Sequence, residues 1–140
     1  MNKIREYISR FLLILCIALI SMGFQNCTKA PINGDLDGEW EVMEVYPETS
    51  GGFEHTRLFY NFSRHVCMLT YYGGPFTDGN MIYDGTSLSL EFPYVITPAQ
   101  YQKLNRYGIF SNPVTFTVEF HGKKNMVLYN ETSRVILRKF

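Results

Sequence analysis

Few side chains in this sequence have the type and spacing for covalent chemistry. The histidines are His55, His65 and His121, set in a loop, at a strand start and at a strand end. A zinc centre needs ligands at close, patterned separations, completed by cysteine or carboxylate. None of the three has such company, so no metal and no cofactor is expected. No serine stands in a Gly-x-Ser-x-Gly elbow. Glu39, Glu41 and Glu44 cluster within one short stretch. Paired carboxylates do acid–base work only across a cleft that raises one pKa, and a solvated strand face is the simpler reading. Gly51-Gly52 and Gly73-Gly74 lack the lysine and following helix of a phosphate loop. The expectation is no catalytic residue, hence not an enzyme.

The cysteines carry more information. Cys67 lies within an apolar stretch, as a small buried hydrophobe does. Cys16 and Cys27 belong to a leader. Residues 1–10 carry Lys3, Arg5 and Arg10, and residues 11–24 form an uncharged apolar run. That run is too short for a comfortable span of about 20 residues, and it fits the apolar region of a secretory signal. The leader ends Phe24-Gln25-Asn26-Cys27 and resembles a bacterial lipoprotein signal, which implies that Cys27 is acylated (palmitate-type chains) and becomes the new N-terminus. Phe24, Gln25 and Asn26 differ from the small residues usual there, so cleavage after Ala30, as in a plain secreted protein, is the alternative. The organisation expected is a signal peptide over 1–26, a lipidated Cys27 with a polar tether over 27–37, and one folded domain over 38–140.

Charge narrows the partners. The whole chain is formally neutral. With Lys3, Arg5, Arg10 and Glu6 in the leader, the remainder is slightly acidic. Nucleic-acid binding needs clustered lysine and arginine, so no nucleic-acid partner is expected. Lys123-Lys124 is the basic pair, and a hairpin turn explains it.

The elements that position these residues read as β structure. Phe and Tyr are abundant, as are Val and Thr, the residues that favour strands. Strands are expected over 39–46, 56–62, 65–72, 80–83, 86–92, 114–121, 126–130 and 133–140. Alternation is clearest at Leu88, Leu90 and Phe92, and at Val114, Phe116, Val118 and Phe120. Ser63-Arg64 and Asp78-Gly79 read as tight turns. One short helix is expected near 98–107. Thr97 is its N-cap, Pro98 its first residue, Gln100 completes a capping box and Gly108 stops it. The fold class is all-β, an antiparallel meander of about eight strands. That number closes a barrel either filled by side chains or able to hold one small ligand.

The lipoprotein leader, Leu36-x-Gly38-x-Trp40 opening the first strand, the aromatic-rich hairpins and the ending Val135-Ile136-Leu137-Arg138-Lys139-Phe140 together resemble the small lipocalin-like lipoproteins of Gram-negative bacteria. The resemblance covers residues 36–140. It implies a lipocalin-like barrel whose floor Trp40 closes, with Arg138 or Arg134 stacked on the indole. It implies a binding or envelope role.

Two functions follow as expectations. The first is non-catalytic binding of a small hydrophobic or amphipathic ligand. The inward residues Trp40, Leu88, Leu90, Phe92, Phe116, Val118 and Phe120 would line the cavity, with Tyr71 or Tyr72 supplying a hydroxyl. The alternative is a solid barrel serving as a protein-interaction or scaffolding module, favoured by the two apolar faces of 56–62 and 65–72. The expected location is the envelope of a Gram-negative cell, lipid-anchored at the outer membrane; the alternative is periplasmic or secreted.

Overall fold

The computed structural model describes residues 2–22, 31–49, 57–72 and 74–140. Cys27, His55 and the Gly51-Gly52 pair lie outside the described residues. Two compact units appear, residues 1–30 and 31–140. The first contains a helix, α1 (Asn2–Met22). Among the described residues, no helix is long and apolar enough to cross a membrane.

The second unit is a closed barrel of eight antiparallel strands in sequence order. They are β1 (Gly38–Tyr46), β2 (Leu58–Ser63), β3 (Val66–Tyr71), β4 (Gly74–Tyr83), β5 (Ser87–Glu91), β6 (Val114–Phe120), β7 (Asn125–Tyr129) and β8 (Arg134–Lys139). β1 pairs with β2 on one side and β8 on the other, which removes both sheet edges. The helix α2 (Pro98–Arg106) connects β5 to β6.

Alternation fills the interior. In β5, Leu88 and Leu90 are buried, and in β6 so are Val114, Phe116 and Val118. Thr97 caps α2 as expected. Its hydroxyl accepts from the Gln100 backbone N–H at 3.3 Å, while the Gln100 Oε1 accepts from the Thr97 N–H at 2.9 Å.

Two turns fall elsewhere than the sequence suggests. Asp78-Gly79 is not a turn, and β4 runs straight through it. Gly79 is there because the neighbouring strand end presses close. A Cβ at Gly79 would lie 2.5 Å from the Glu91 carbonyl oxygen and 2.6 Å from the Phe92 ring. The β2–β3 hairpin turns at Arg64-His65, one residue later than Ser63-Arg64, since Ser63 pairs with Val66. Arg64 takes the left-handed conformation this turn requires, with φ 56°.

Trp40 closes one end of the barrel and is fully buried. Its Nε1–H donates to the Leu36 carbonyl at 2.8 Å, within the single helical turn that precedes β1. Phe120 lies tilted against it, with ring centroids 6.1 Å apart. The cation over the indole is Lys139, 5.1 Å from the ring centroid, in place of the expected Arg138 or Arg134. Register explains this. Lys139 pairs with Trp40, so the next residue inward, Arg138, faces outward beside Glu41, and Arg134 sits at the far end beside Tyr46. Gly38 gives Lys139 room, for a Cβ there would meet the Lys139 Cε at 3.1 Å.

Glu41 corrects the reading of a solvated carboxylate face. It is 8% exposed although it points outward. Arg57 donates to its Oε1 at 2.5 Å and Arg138 to its Oε2 at 3.0 Å. The Arg57 guanidinium also lies 5.2 Å from the Phe59 ring and 4.9 Å from the Phe140 ring. That cover explains how Phe59 is buried on the outer side of a two-faced apolar strand. The cluster ties β1, β2 and the last strand together. Hydrogen bonding to Arg57 pulls the Glu41 carboxyl from 4.5 down to about 2, burial opposes this, and Arg138 adds to it.

A carboxyl whose pKa is lowered by folding stabilises the fold above its unfolded pKa and loses that contribution as pH falls toward its folded value. Acid should therefore weaken the barrel between pH 4.5 and 2 through this group. Glu41→Gln should cost about 1–2 kcal/mol at neutral pH, between the values for exposed and buried pairs, because both arginines are half-exposed. Urea titrations of the two proteins across that pH range should converge on the acid side. A parallel offset at every pH would contradict this account.

Candidate functional site

The end opposite Trp40 is covered by α2 and the segment after it. Leu104, Tyr107 and Ile109 are buried there. The Tyr60 hydroxyl, inside the barrel, donates to the Tyr107 carbonyl at 2.6 Å. The Tyr107 hydroxyl donates to the Thr70 carbonyl at 2.8 Å. Burial pushes the pKa of both hydroxyls up, so each stays a neutral donor. Ser133, the residue before β8, donates to the Gly108 carbonyl at 2.7 Å and fixes the end of the segment there.

Beside Tyr107 a cavity of about 110 Å³ remains between α2 and the ends of β2, β3 and β4. Leu58, Tyr71, Phe76, Lys103, Arg106 and Tyr107 line it. Phe76 and Tyr107 stack with centroids 5.9 Å apart and an interplanar angle of 13°. Lys103 Nζ sits 5.7 Å from the Phe76 centroid. Partial burial lowers the Arg106 pKa below the usual guanidinium value, and a guanidinium stays charged under such a shift. The cavity thus has aromatic and aliphatic walls and a cationic rim. Its volume approaches that of a cavity that accepts one benzene, about 150 Å³. It suits one ring, or the end of a longer apolar tail.

The sequence-based lining residues sit elsewhere. Trp40, Leu88, Leu90, Phe92, Phe116 and Val118 form one continuous core. Phe120 is half-buried beside Trp40, at the closed end. Neither the mouth cavity nor the outer groove described below includes any of them. Tyr72 is corrected outright. It lies in the turn after β3, 77% exposed, and it is Tyr71 that reaches the cavity. Cys67 is fully buried, and burial raises its thiol pKa, which makes it an inert core residue.

Sequence reasoning missed Leu58, Phe76, Lys103 and Arg106. One signal was present. Lys103, Arg106 and Tyr107 are spaced i, i+3, i+4 and so share a helix face. Nothing in the sequence says that this face meets β2 to β4.

The family model of the lipocalin-like domain matches residues 20–140. Two solved structures resemble the fold. One is a lipocalin-like protein from Bacteroides uniformis, 25% identical, covering 76% of this chain and 100% of its own, with a TM-score of 0.55. The other is described as an uncharacterized protein from Bacteroides eggerthii, 18% identical, covering 74% of this chain and 98% of its own, with a TM-score of 0.51. No curated protein matches the sequence.

Proposed function

The chain belongs to the lipocalin-like domain family, and from that premise we propose that it is a non-catalytic carrier or sensor of a small amphipathic ligand, held in the cell envelope by a lipid on Cys27. The observation that carries the binding claim is the helix-covered mouth. Apolar groups from three strands converge there with Tyr107, and Lys103 and Arg106 stand at the rim. An apolar ring or tail end fits the walls, and an anionic head fits the rim. Such a concavity with a few polar groups at its edge is the usual form of a small-molecule site. The lipid anchor rests on the leader, whose short apolar run ends at Cys27. Acyl chains of this kind would hold the domain at a membrane without a spanning helix.

The test compares octanoate with octanol by calorimetry on the full chain in mild detergent. Octanoate should bind more tightly, and Lys103→Ala should weaken octanoate about tenfold, a difference of 1.4 kcal/mol, while leaving octanol unchanged. Equal loss for both probes, or no binding of either, would reject the mouth as the site.

A second reading has its own observation. Val66, Met68 and Ile82 are exposed on the outer faces of β3 and β4, and the barrel behind them is packed. That arrangement suits a solid module that docks an envelope protein. Absence of any ligand at the mouth would favour it.

A further inference from the structure

The outer wall carries a second concavity, independent of the mouth. It is an open groove of about 700 Å³ running across β6, β7, β8 and the end of β1. Register places its residues on one face. Tyr46 pairs with Arg134, Arg134 with Tyr129, and Glu119 with Val127. Cross-strand partners share a face, so two tyrosines and a guanidinium stand side by side outside the barrel, with the Glu119 carboxylate beside Val127 in the neighbouring row.

Its floor is apolar and its rings are accessible. Val127 faces outward yet is buried, while Tyr46 is 48% and Tyr129 38% exposed. Hydrogen bonds within the wall hold the lining. The Tyr46 hydroxyl donates to Glu44 at 2.7 Å. His121 Nε2 lies 3.0 Å from Glu119 Oε1. The Asn130 side chain accepts from the backbone N–H groups of Thr132 and Ser133, both at 2.9 Å, and donates to the Thr115 carbonyl at 3.2 Å. A site whose side chains are already placed loses less on binding.

The chemistry of the lining selects the ligand. Rings and an apolar floor want a flat apolar face. Glu119 accepts, Arg134 donates and His121 does either, so the rim wants groups that both donate and accept. A purely apolar ligand would use none of those groups. The lining holds two carboxylates, Glu119 and Glu131, and one guanidinium, Arg134, a balance that disfavours an anion. A pyranose has an apolar C–H face and a rim of hydroxyls that donate and accept. The groove's volume falls within the usual range for small-ligand sites, about 300–1,000 Å³. The geometry points to a binding site for a neutral saccharide of one or two units on the outer wall.

The experiment titrates the full chain in mild detergent with maltose, cellobiose and diacetylchitobiose, followed by amide NMR shifts. Spermidine and glucuronate serve as charged comparators. At least one neutral disaccharide should bind saturably and shift Val127, Tyr129 and Arg134. Tyr46→Ala and Tyr129→Ala should each weaken it about tenfold, consistent with loss of an aromatic contact. Met68→Ala, on the far wall, should leave it unchanged. Tyr129→Gln, which keeps a planar polar group but no ring, separates stacking from bulk and should weaken binding as alanine does. The inference is overturned if no disaccharide shifts these residues. It is equally overturned if spermidine or glucuronate binds the groove in preference to every sugar, or if the sugar shifts map elsewhere.

Discussion

Trp40→Ala will lower the unfolding free energy of the barrel by about 4 kcal/mol, within the 3–5 kcal/mol typical of a large aromatic removed from a core. The indole is fully buried and is the largest of the core side chains. It also makes the Nε1–H bond to Leu36, which anchors the helical turn before β1. Alanine leaves a cavity, an unpaired Leu36 carbonyl and a Lys139 with no ring beneath it. Domain stabilities of about 5–15 kcal/mol leave little after such a loss. Urea unfolding followed by far-ultraviolet circular dichroism measures it. Trp40→Phe should recover part of the stability by refilling the site without restoring the hydrogen bond. A loss below about 1 kcal/mol for alanine, the level of an exposed position, would mean that Trp40 does not close the barrel.

Gly108→Ala will cost about 2–5 kcal/mol, and it will loosen the mouth before the rest. Two costs add. Gly108 has φ 77°, a conformation that charges a side chain about 1–2 kcal/mol. The added Cβ would also collide with the Val135 side chain and come within 3.3 Å of Val45 Cγ1, and overpacking of this kind costs about 1–3 kcal/mol. The collision pushes the segment after α2 off β8 and strains the bond that the Gly108 carbonyl accepts from Ser133, just before that strand. Hydrogen exchange should therefore speed up at Leu104 to Ile109 more than at Phe116 or Leu128. Uniform acceleration across the barrel would show that the segment is not an independently seated cover.

These two positions were legible to different depths. Trp40 announces itself as the sole tryptophan, preceded by Gly38 and followed by a strand pattern. Alternation at 88–92 and 114–120 announces β5 and β6, and Thr97, Pro98 and Gln100 announce the start of α2. Each is a local signal answering to local physics. Asp78-Gly79 shows where that ends. The pair has turn chemistry, but Gly79 is fixed by the Phe92 ring, which arrives from the neighbouring strand.

Glu41 is illegible for a similar reason. Its partners lie 16 and 97 residues away, so a carboxylate that looks solvated is held by groups the sequence does not bring near. The mouth is assembled from Leu58, Tyr71, Phe76 and the end of α2, and so became visible only with the register of β2 to β4. Strand periodicity gave the inward face correctly, yet it could not say whether that face encloses space. Volume depends on how Phe92, Phe116 and Tyr60 interdigitate, and they fill the interior.

The central claim is that the α2-covered mouth holds a small amphipathic ligand. The most direct measurement is native mass spectrometry of the full chain, purified from the cells that make it in mild detergent without denaturation. The account predicts a noncovalent adduct of constant mass that organic extraction removes and that Lys103→Ala loses. A bare mass for the wild-type protein, together with no adduct after incubation with octanoate, would contradict it.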